Sequence, residues 1–287
     1  MNVCPTYGVV GGHTFGHIYP GPMGICWTAG VHGLEKAADF AQLCLSCGLC
    51  KEICPAKINM PHIIAEIKHR DARTHGYPLV NRVMMAADKA ARLGSAAAPV
   101  ANFTLNNGPL RSMLEKTIGL SAERTLPPFS STTFMRQFRK RKRPAASVSG
   151  TNRVAFFVDV YANFNDPELA MNGVEALESA GCEVIIPPQE VSGYPYIAYG
   201  NTSAASKVAQ SNIDKLIPFI HDGYDLVAIE PTAAYALAVS YPTLMQQTDK
   251  AADAALIASR SYEFFAYLNK LETGDHPVSS DRFKGKK

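Results

Sequence analysis

Cys44-Leu45-Ser46-Cys47-Gly48-Leu49-Cys50-Lys51-Glu52-Ile53-Cys54-Pro55 places four of the chain's seven cysteines within eleven residues. The first residues, MNVCPTYGVVGGH, lack the basic and apolar regions of a secretory leader. In a chain of 287 residues at a reducing address, such crowding does not suit a disulfide framework. Thiolates at successive three-residue steps, followed by Cys-Pro, suit a metal centre instead. Zinc ordinarily takes two C-x2-C pairs held apart by a longer loop, a division this run lacks.

The spacing C-x2-C-x2-C-x3-C-P is the one bacterial-type ferredoxins use for [4Fe-4S] clusters. Three thiolates so close in sequence reach three corners of one cubane only if the loop wraps around it, and Gly48 lets the backbone come near. Local N–H groups can then bond sulfur and raise the potential. In two-cluster proteins the fourth cysteine of a run serves the other cluster, and Cys4-Pro5 has the form of the Cys-Pro end of such a run. Two assignments follow. In the crossed one, Cys44, Cys47, Cys50 and Cys4 hold one complete cluster, and Cys54 belongs to a second whose other three cysteines are not in this chain. In its rival, Cys54 completes the first cluster and Cys4 is free. Cys26 and Cys182 read as buried small residues. His13 and His17 lie in GGHTFGH, where glycines oppose the helix that would align them on a metal.

Apolar content of 47% and charged content of 18% are those of a soluble globular protein long enough for two modest domains. No run of 18 apolar residues occurs, and the chain is expected in the cytoplasm. The net charge of +3 depends on Arg136 to Arg143, RQFRKRKR. This run reads first as a solvated helix end and linker; the sharper alternative is contact with an acidic partner or with anionic lipid on the cytoplasmic face of the membrane. No reading motif for nucleic acid accompanies it, so nucleic acid is not expected as a partner.

Residues 1 to about 60 are rich in Gly, Pro and Cys, and a metal is expected to substitute there for a core. Pro61 opens a helix, with Ile63, Ile64 and Ile67 on one face and Gly76 as its stop, and a second helix is expected from about Pro78 to Leu93. From Ala96 to Lys142, short helical pieces separated by NNGP and TLPPFSST form a connector. The small, polar stretch 143–152 reads as a linker. From Arg153, strands VAFFVDV, CEVIIP and DLVAIE alternate with helices, DPELAMNGVEALESAG and a stretch near Thr202 to Ile220. That alternation implies a parallel sheet covered on both faces. The expected organisation is a cysteine module over 1–76, a helical connector over 77–150 and an α/β domain over 151–287. Asp159, Asn163, Asn165, Glu168 and Glu230 fall at strand or turn ends where open α/β sheets bind ligands, although helix caps and turns account for them better.

With these residues in hand, the chain resembles a family of iron–sulfur electron-transfer proteins that carry a twin ferredoxin module followed by cysteine-rich CCG repeats. The family includes the C subunit of anaerobic glycerol-3-phosphate dehydrogenase, the lactate-utilisation iron–sulfur proteins and the iron–sulfur half of FAD-linked lactate or glycolate oxidases. The likeness rests on CPTYGVVGGHTFGHIYPGPMG and the cysteine run, on RTLPPFSSTTFMRQF, on YANFNDPELAMNGVEALESAGCEVIIPPQ, and on SGYPYIAYG and GYDLVAIEPTAAYAL. It implies a helical type of ferredoxin fold in front and an α/β CCG-type repeat behind. Two departures stand out. Val191-Ser192-Gly193 occupies the place of a Cys-Cys-Gly triplet, and EPTAAYAL lacks a cysteine. Relative to the family, both ends are expected to be shortened.

The resemblance implies an electron-transfer component rather than a catalyst in its own right. Its partners would be a flavin-containing dehydrogenase acting on lactate, glycolate or glycerol 3-phosphate, and a quinone or other electron acceptor. Its cofactor would be one complete [4Fe-4S] cluster, with a second if further cysteines lie upstream. Two other classes are a docking module for a catalytic subunit, which would need no cluster, and a heterodisulfide-type reductase, which the missing cysteines oppose.

Overall fold

The computed structural model describes residues 2–15, 21–141 and 152–273. His17, Lys142, Arg143 and nearly all of the expected linker lie outside them.

The front of the chain is helical. Helix α1 (Pro5–Val10) follows Cys4, and α2 (Gly21–Val31), α3 (Leu34–Ala41), α4 (Leu49–Glu52), α5 (Met60–His75) and α6 (Leu79–Met85) come next. Ile25, Ala37, Phe40, Ala41, Ile64 and Ile67 form a small core between α2, α3 and α5. Asn59 caps α5 by accepting from the His62 amide, and Gly76, at φ 78°, ends it. The buried stripe of α5 differs from the expected one. Ile64, Ala65, Ile67 and Lys68 face inward, whereas Ile63 is 40% exposed. The helix expected over Pro78 to Leu93 breaks at Ala86, between α6 and α7 (Ala87–Ala96).

The connector continues with α8 (Ala98–Asn106), α9 (Gly108–Ile118) and α10 (Phe134–Lys140). The Asn107 side chain caps α9, and Pro109 sits in its first turn. No helix forms over 119–133. That stretch is held instead by the Asn102 amide, which pairs with both N–H and C=O of Phe129, and by Ser130 N–H donating to the Phe164 carbonyl.

Strand β1 (Arg153–Phe157) opens the sheet, followed by α11 (Val160–Phe164), α12 (Pro167–Ser179) and β2 (Glu183–Ile185). Next come α13 (Tyr194–Ala198), α14 (Thr202–His221), β3 (Asp225–Ala228) and α15 (Pro231–Tyr235), which runs through a π-helical turn (Ala236–Ser240) into α16 (Tyr241–Met245). The chain ends its described part with α17 (Ala251–Ser259), β4 (Ser261–Glu263) and α18 (Phe264–Thr273). All four strands are parallel, in the order β2-β1-β3-β4. Val154, Phe156 and Val227 share one core with Phe134, Val174, Leu177, Phe264 and Tyr267, and the alternating Ala155, Phe157, Leu226 and Ala228 are equally buried. Both faces are therefore covered, as a parallel sheet requires. The fold class is that of a helical module with a connector and an α/β domain. Among the described residues no helix is long and apolar enough to cross a membrane.

The chain divides into two compact units, Met1–Met85 with Tyr194–Ala205, and Ala86–Gly193 with Ser206–Lys287. Residues 194–205, which leave the sheet region after β2, thus belong to the unit that carries the cysteine run.

Candidate metal centre

Within the first unit, Cys4, Cys44, Cys47 and Cys50 line one small cavity together with Pro5, Pro22, Gly48 and Pro61 among others. The loop from Cys44 to Gly48 turns through two left-handed positions, Ser46 at φ 57° and Gly48 at φ 82°, which curls it around the space. Ser46 N–H donates to Cys44 Sγ at 3.4 Å. Cys4 arrives from a distance in sequence because Thr6 Oγ1 donates to the Leu43 carbonyl, tying α1 to the residue before Cys44. Cys54 follows α4 and is not among the lining residues.

Burial pushes the Cys44 thiol up, and neighbouring Cys4 and Cys47 push it further, against the pull of Lys68 and the Ser46 amide. Burial, then Cys44, Cys47 and Cys4, push Cys50 up to about 11. Cys44 and Cys50, held up in this way, become thiolates together only around a cationic core. Single cysteines at successive three-residue steps are not the two separated pairs of a structural zinc site. The Ser46 hydroxyl, buried and with no hydrogen-bond partner among the described residues, adds a donor in the same loop.

Cys26 packs against the module's core, pushed up to about 11 by burial and then by Cys44 and Cys50. Cys182 is buried in the sheet core. His13 sits in a single 3-10 turn.

Lys68 carried no sequence expectation. It is 2% exposed, and its Nζ donates to the Cys44 carbonyl at 2.8 Å and to the Ala198 carbonyl at 2.6 Å. Burial pulls its pKa down, and Cys44 opposes that. Its position four residues after Ile64, in the buried stripe of α5, was the available signal.

In the second unit, the polar positions at strand ends act on the backbone. Asp159 caps α11 and also accepts from the Ser192 amide at 3.1 Å; Glu230 accepts from the Ala162 amide at 2.9 Å. Asn163 accepts from the Met135 amide, Asn165 donates to the Pro128 carbonyl, and Glu168 lies in the first turn of α12. Asp159 and Glu230 follow β1 and β3, where the crossovers leave in opposite directions. Burial and the proximity of Asp159 push Glu230 up to about 7. Ser192 is fixed by the hydrogen bond from its N–H to Asp159 and by Tyr241, whose hydroxyl donates to the Ser192 carbonyl while accepting from Asn212. Of the basic run, Arg136, Arg139 and Lys140 are exposed, whereas Arg141 is engaged in a two-pronged ion pair with Glu178.

Residues 1–58 match the family model described as a 4Fe-4S dicluster domain. The chain is 28% identical over 174 residues to the anaerobic glycerol-3-phosphate dehydrogenase C subunit of Escherichia coli (strain K12), covering 60% of this chain and 43% of that one. It is 33% identical over 147 residues to lactate utilization protein B 1 of Bacillus mycoides, covering 50% and 29%, and 35% identical over 133 residues to lactate utilization protein B of Bacillus cytotoxicus, covering 40% and 28%. The chain thus spans less than half the length of these curated relatives. No solved structure matches. The likeness to iron–sulfur proteins read from the residues holds, and a [4Fe-4S] cluster is the cofactor of the cysteine module.

Proposed function

We propose that this chain is an electron-transfer module in which Cys44, Cys47, Cys50 and Cys4 ligate one [4Fe-4S] cluster, while Cys54 is a ligand of a second. The observation that carries this reading is the convergence of Cys4 with Cys44, Cys47 and Cys50 around one cavity, from whose lining Cys54 is absent. When bound, the cluster supplies one-electron oxidation and reduction. The chain's own residues do the rest. Four thiolates hold the group, the Ser46 amide bonds the Cys44 sulfur, and prolines 5, 22 and 61 limit the access of water. No step asks a side chain to move a proton on a substrate.

In this reading the electron donor is a flavin-containing dehydrogenase of a small hydroxylated substrate, lactate, glycolate or glycerol 3-phosphate, and the acceptor is a quinone or another carrier. The names of the relatives, a glycerol-3-phosphate dehydrogenase subunit and a lactate utilization protein, support a dehydrogenase of such a substrate as the donor. Cytoplasmic location, with Arg136, Arg139 and Lys140 facing an acidic partner or membrane surface, belongs to the same reading.

Anaerobic purification with iron and sulfide counting, then electron paramagnetic resonance after dithionite reduction, tests the proposal. A reducible [4Fe-4S] signal is expected in the parent chain and in Cys54→Ala, and none in Cys4→Ala. The reverse pattern would overturn the crossed ligand set, and a parent chain without a reducible cluster would overturn electron transfer itself.

A further inference from the structure

Lysine is almost never fully buried without a counter-charge, yet Lys68 is 2% exposed and bonds two neutral carbonyl oxygens, those of Cys44 and Ala198. Among the described residues no carboxylate lies within salt-bridge distance of its Nζ. The Cys44 carbonyl it bonds at 2.8 Å belongs to one of the four cysteines around the cavity. A lone ammonium in such a place is stable only if the centre beside it is anionic, and a cubane held by four thiolates is.

We infer that Lys68 is a positioning residue of the electron-transfer centre, whose buried positive charge beside Cys44 raises the tendency of that centre to accept an electron. The inference rests on Cys44 being a cluster ligand, as proposed above. Its physical basis is simple. Taking one electron from a donor such as dithionite, with no proton moved, makes the centre one unit more negative, and a nearby ammonium favours the more negative state. The geometry keeps the charge in place. Gly200 lies so close to α5 that a Cβ there would meet the Lys68 side chain and come within 3.0 Å of the Ala65 carbonyl and the His69 amide, while His69 and Tyr77 both bond the Gly200 carbonyl. The segment containing Ala198 thus covers Lys68 and shuts water out. Burial also removes the screening that weakens surface charges.

Redox titration of the full chain, followed by electron paramagnetic resonance, tests this with Lys68→Met, Lys68→Gln and Lys68→Arg. Glutamine keeps a donor for the two carbonyls without the charge; arginine keeps the charge. Both neutral variants should reduce less readily by about tenfold in the equilibrium constant, a fall of about 59 mV for one electron. Lys68→Arg should stay near the parent, and the difference should persist at high salt. Neutral variants with full iron content and the parent potential would overturn the inference, as would Lys68→Arg falling as far as they do. If the neutral variants lose iron, retention by Lys68→Arg supports a charge role and loss in all three refutes it. A parent chain that binds no reducible cluster would instead sink the electron-transfer reading on which the inference stands.

Discussion

The hydroxyl of Tyr194 donates to the carbonyl oxygen of Ser46 at 2.7 Å, joining residues 148 positions apart at the loop between Cys44 and Cys47. Ser46 holds a left-handed conformation, at φ 57°, that a residue with a Cβ adopts at a cost of about 1–3 kcal/mol. Removing the bond should loosen the loop. Tyr194→Phe is expected to cost about 1 kcal/mol and to speed the loss of cluster absorbance in air. An unchanged decay rate would show that the bond does not support the ligand loop.

Gly200 is a second point of close approach. Its φ is +81°, and a Cβ would press on Lys68, the Ala65 carbonyl and the His69 amide. Gly200→Ala combines backbone strain with overpacking and should destabilise the cysteine module by about 2–4 kcal/mol. The denaturant midpoint of cluster absorbance should fall accordingly. Ala at Gly223, whose φ of +88° is equally strained but which meets nothing within 4 Å, should cost less.

Stability should also depend on the buried carboxylates of the second unit. Glu230 is pushed up to about 7 by burial and by Asp159, above the value of an unfolded glutamate. The folded chain therefore keeps a proton that the unfolded chain loses. This contribution is full below about pH 4.5 and is lost as the pH rises through about 7. Glu230→Gln keeps an acceptor for the Ala162 amide, so it should flatten that profile and gain about 1–3 kcal/mol at pH 8. Denaturant titrations at pH 5 and pH 8 read both effects, and an unaltered slope would contradict them.

Cys26 tests the ligand count from the other side. Although Cys44 and Cys50 influence it, it packs into the core and does not line the cavity. Cys26→Ala should retain the full iron and sulfide content and the parent resonance signal. Loss of iron would make Cys26 a ligand.

Much of the α/β part is legible from local pattern. Strands and helices alternate where apolar runs and breakers do, and Asp166 with Pro167 opens α12 as its cap and first turn, the carboxylate accepting from the Leu169 amide. Strand β4, Ser261–Glu263, gives no such signal, because three half-buried edge residues form neither an apolar run nor an alternation. The break at Ala86 is equally silent, since alanine favours helix and nothing in LVNRVMMAADKAARLG stops one.

By itself, the sequence determined the chemistry of the front of the chain: thiolates at C-x2-C-x2-C-x3-C-P spacing, with Gly48 free to turn, because ligation by one loop depends on short separations that spacing records. What the tertiary structure alone decided is the company those thiols keep. Cys4 reaches the cavity through the tie between Thr6 and Leu43, and Lys68 turns inward beneath the cover of residues 194–200. Cys4-Pro5 marked the first only as one of two assignments, and the place of Lys68 four residues after Ile64 marked the second only as a position on the apolar stripe. A lysine in a helix reads as solvated until its neighbours are known, and contacts that span more than a hundred residues arise from chain closure and shared burial, not from the order of nearby side chains.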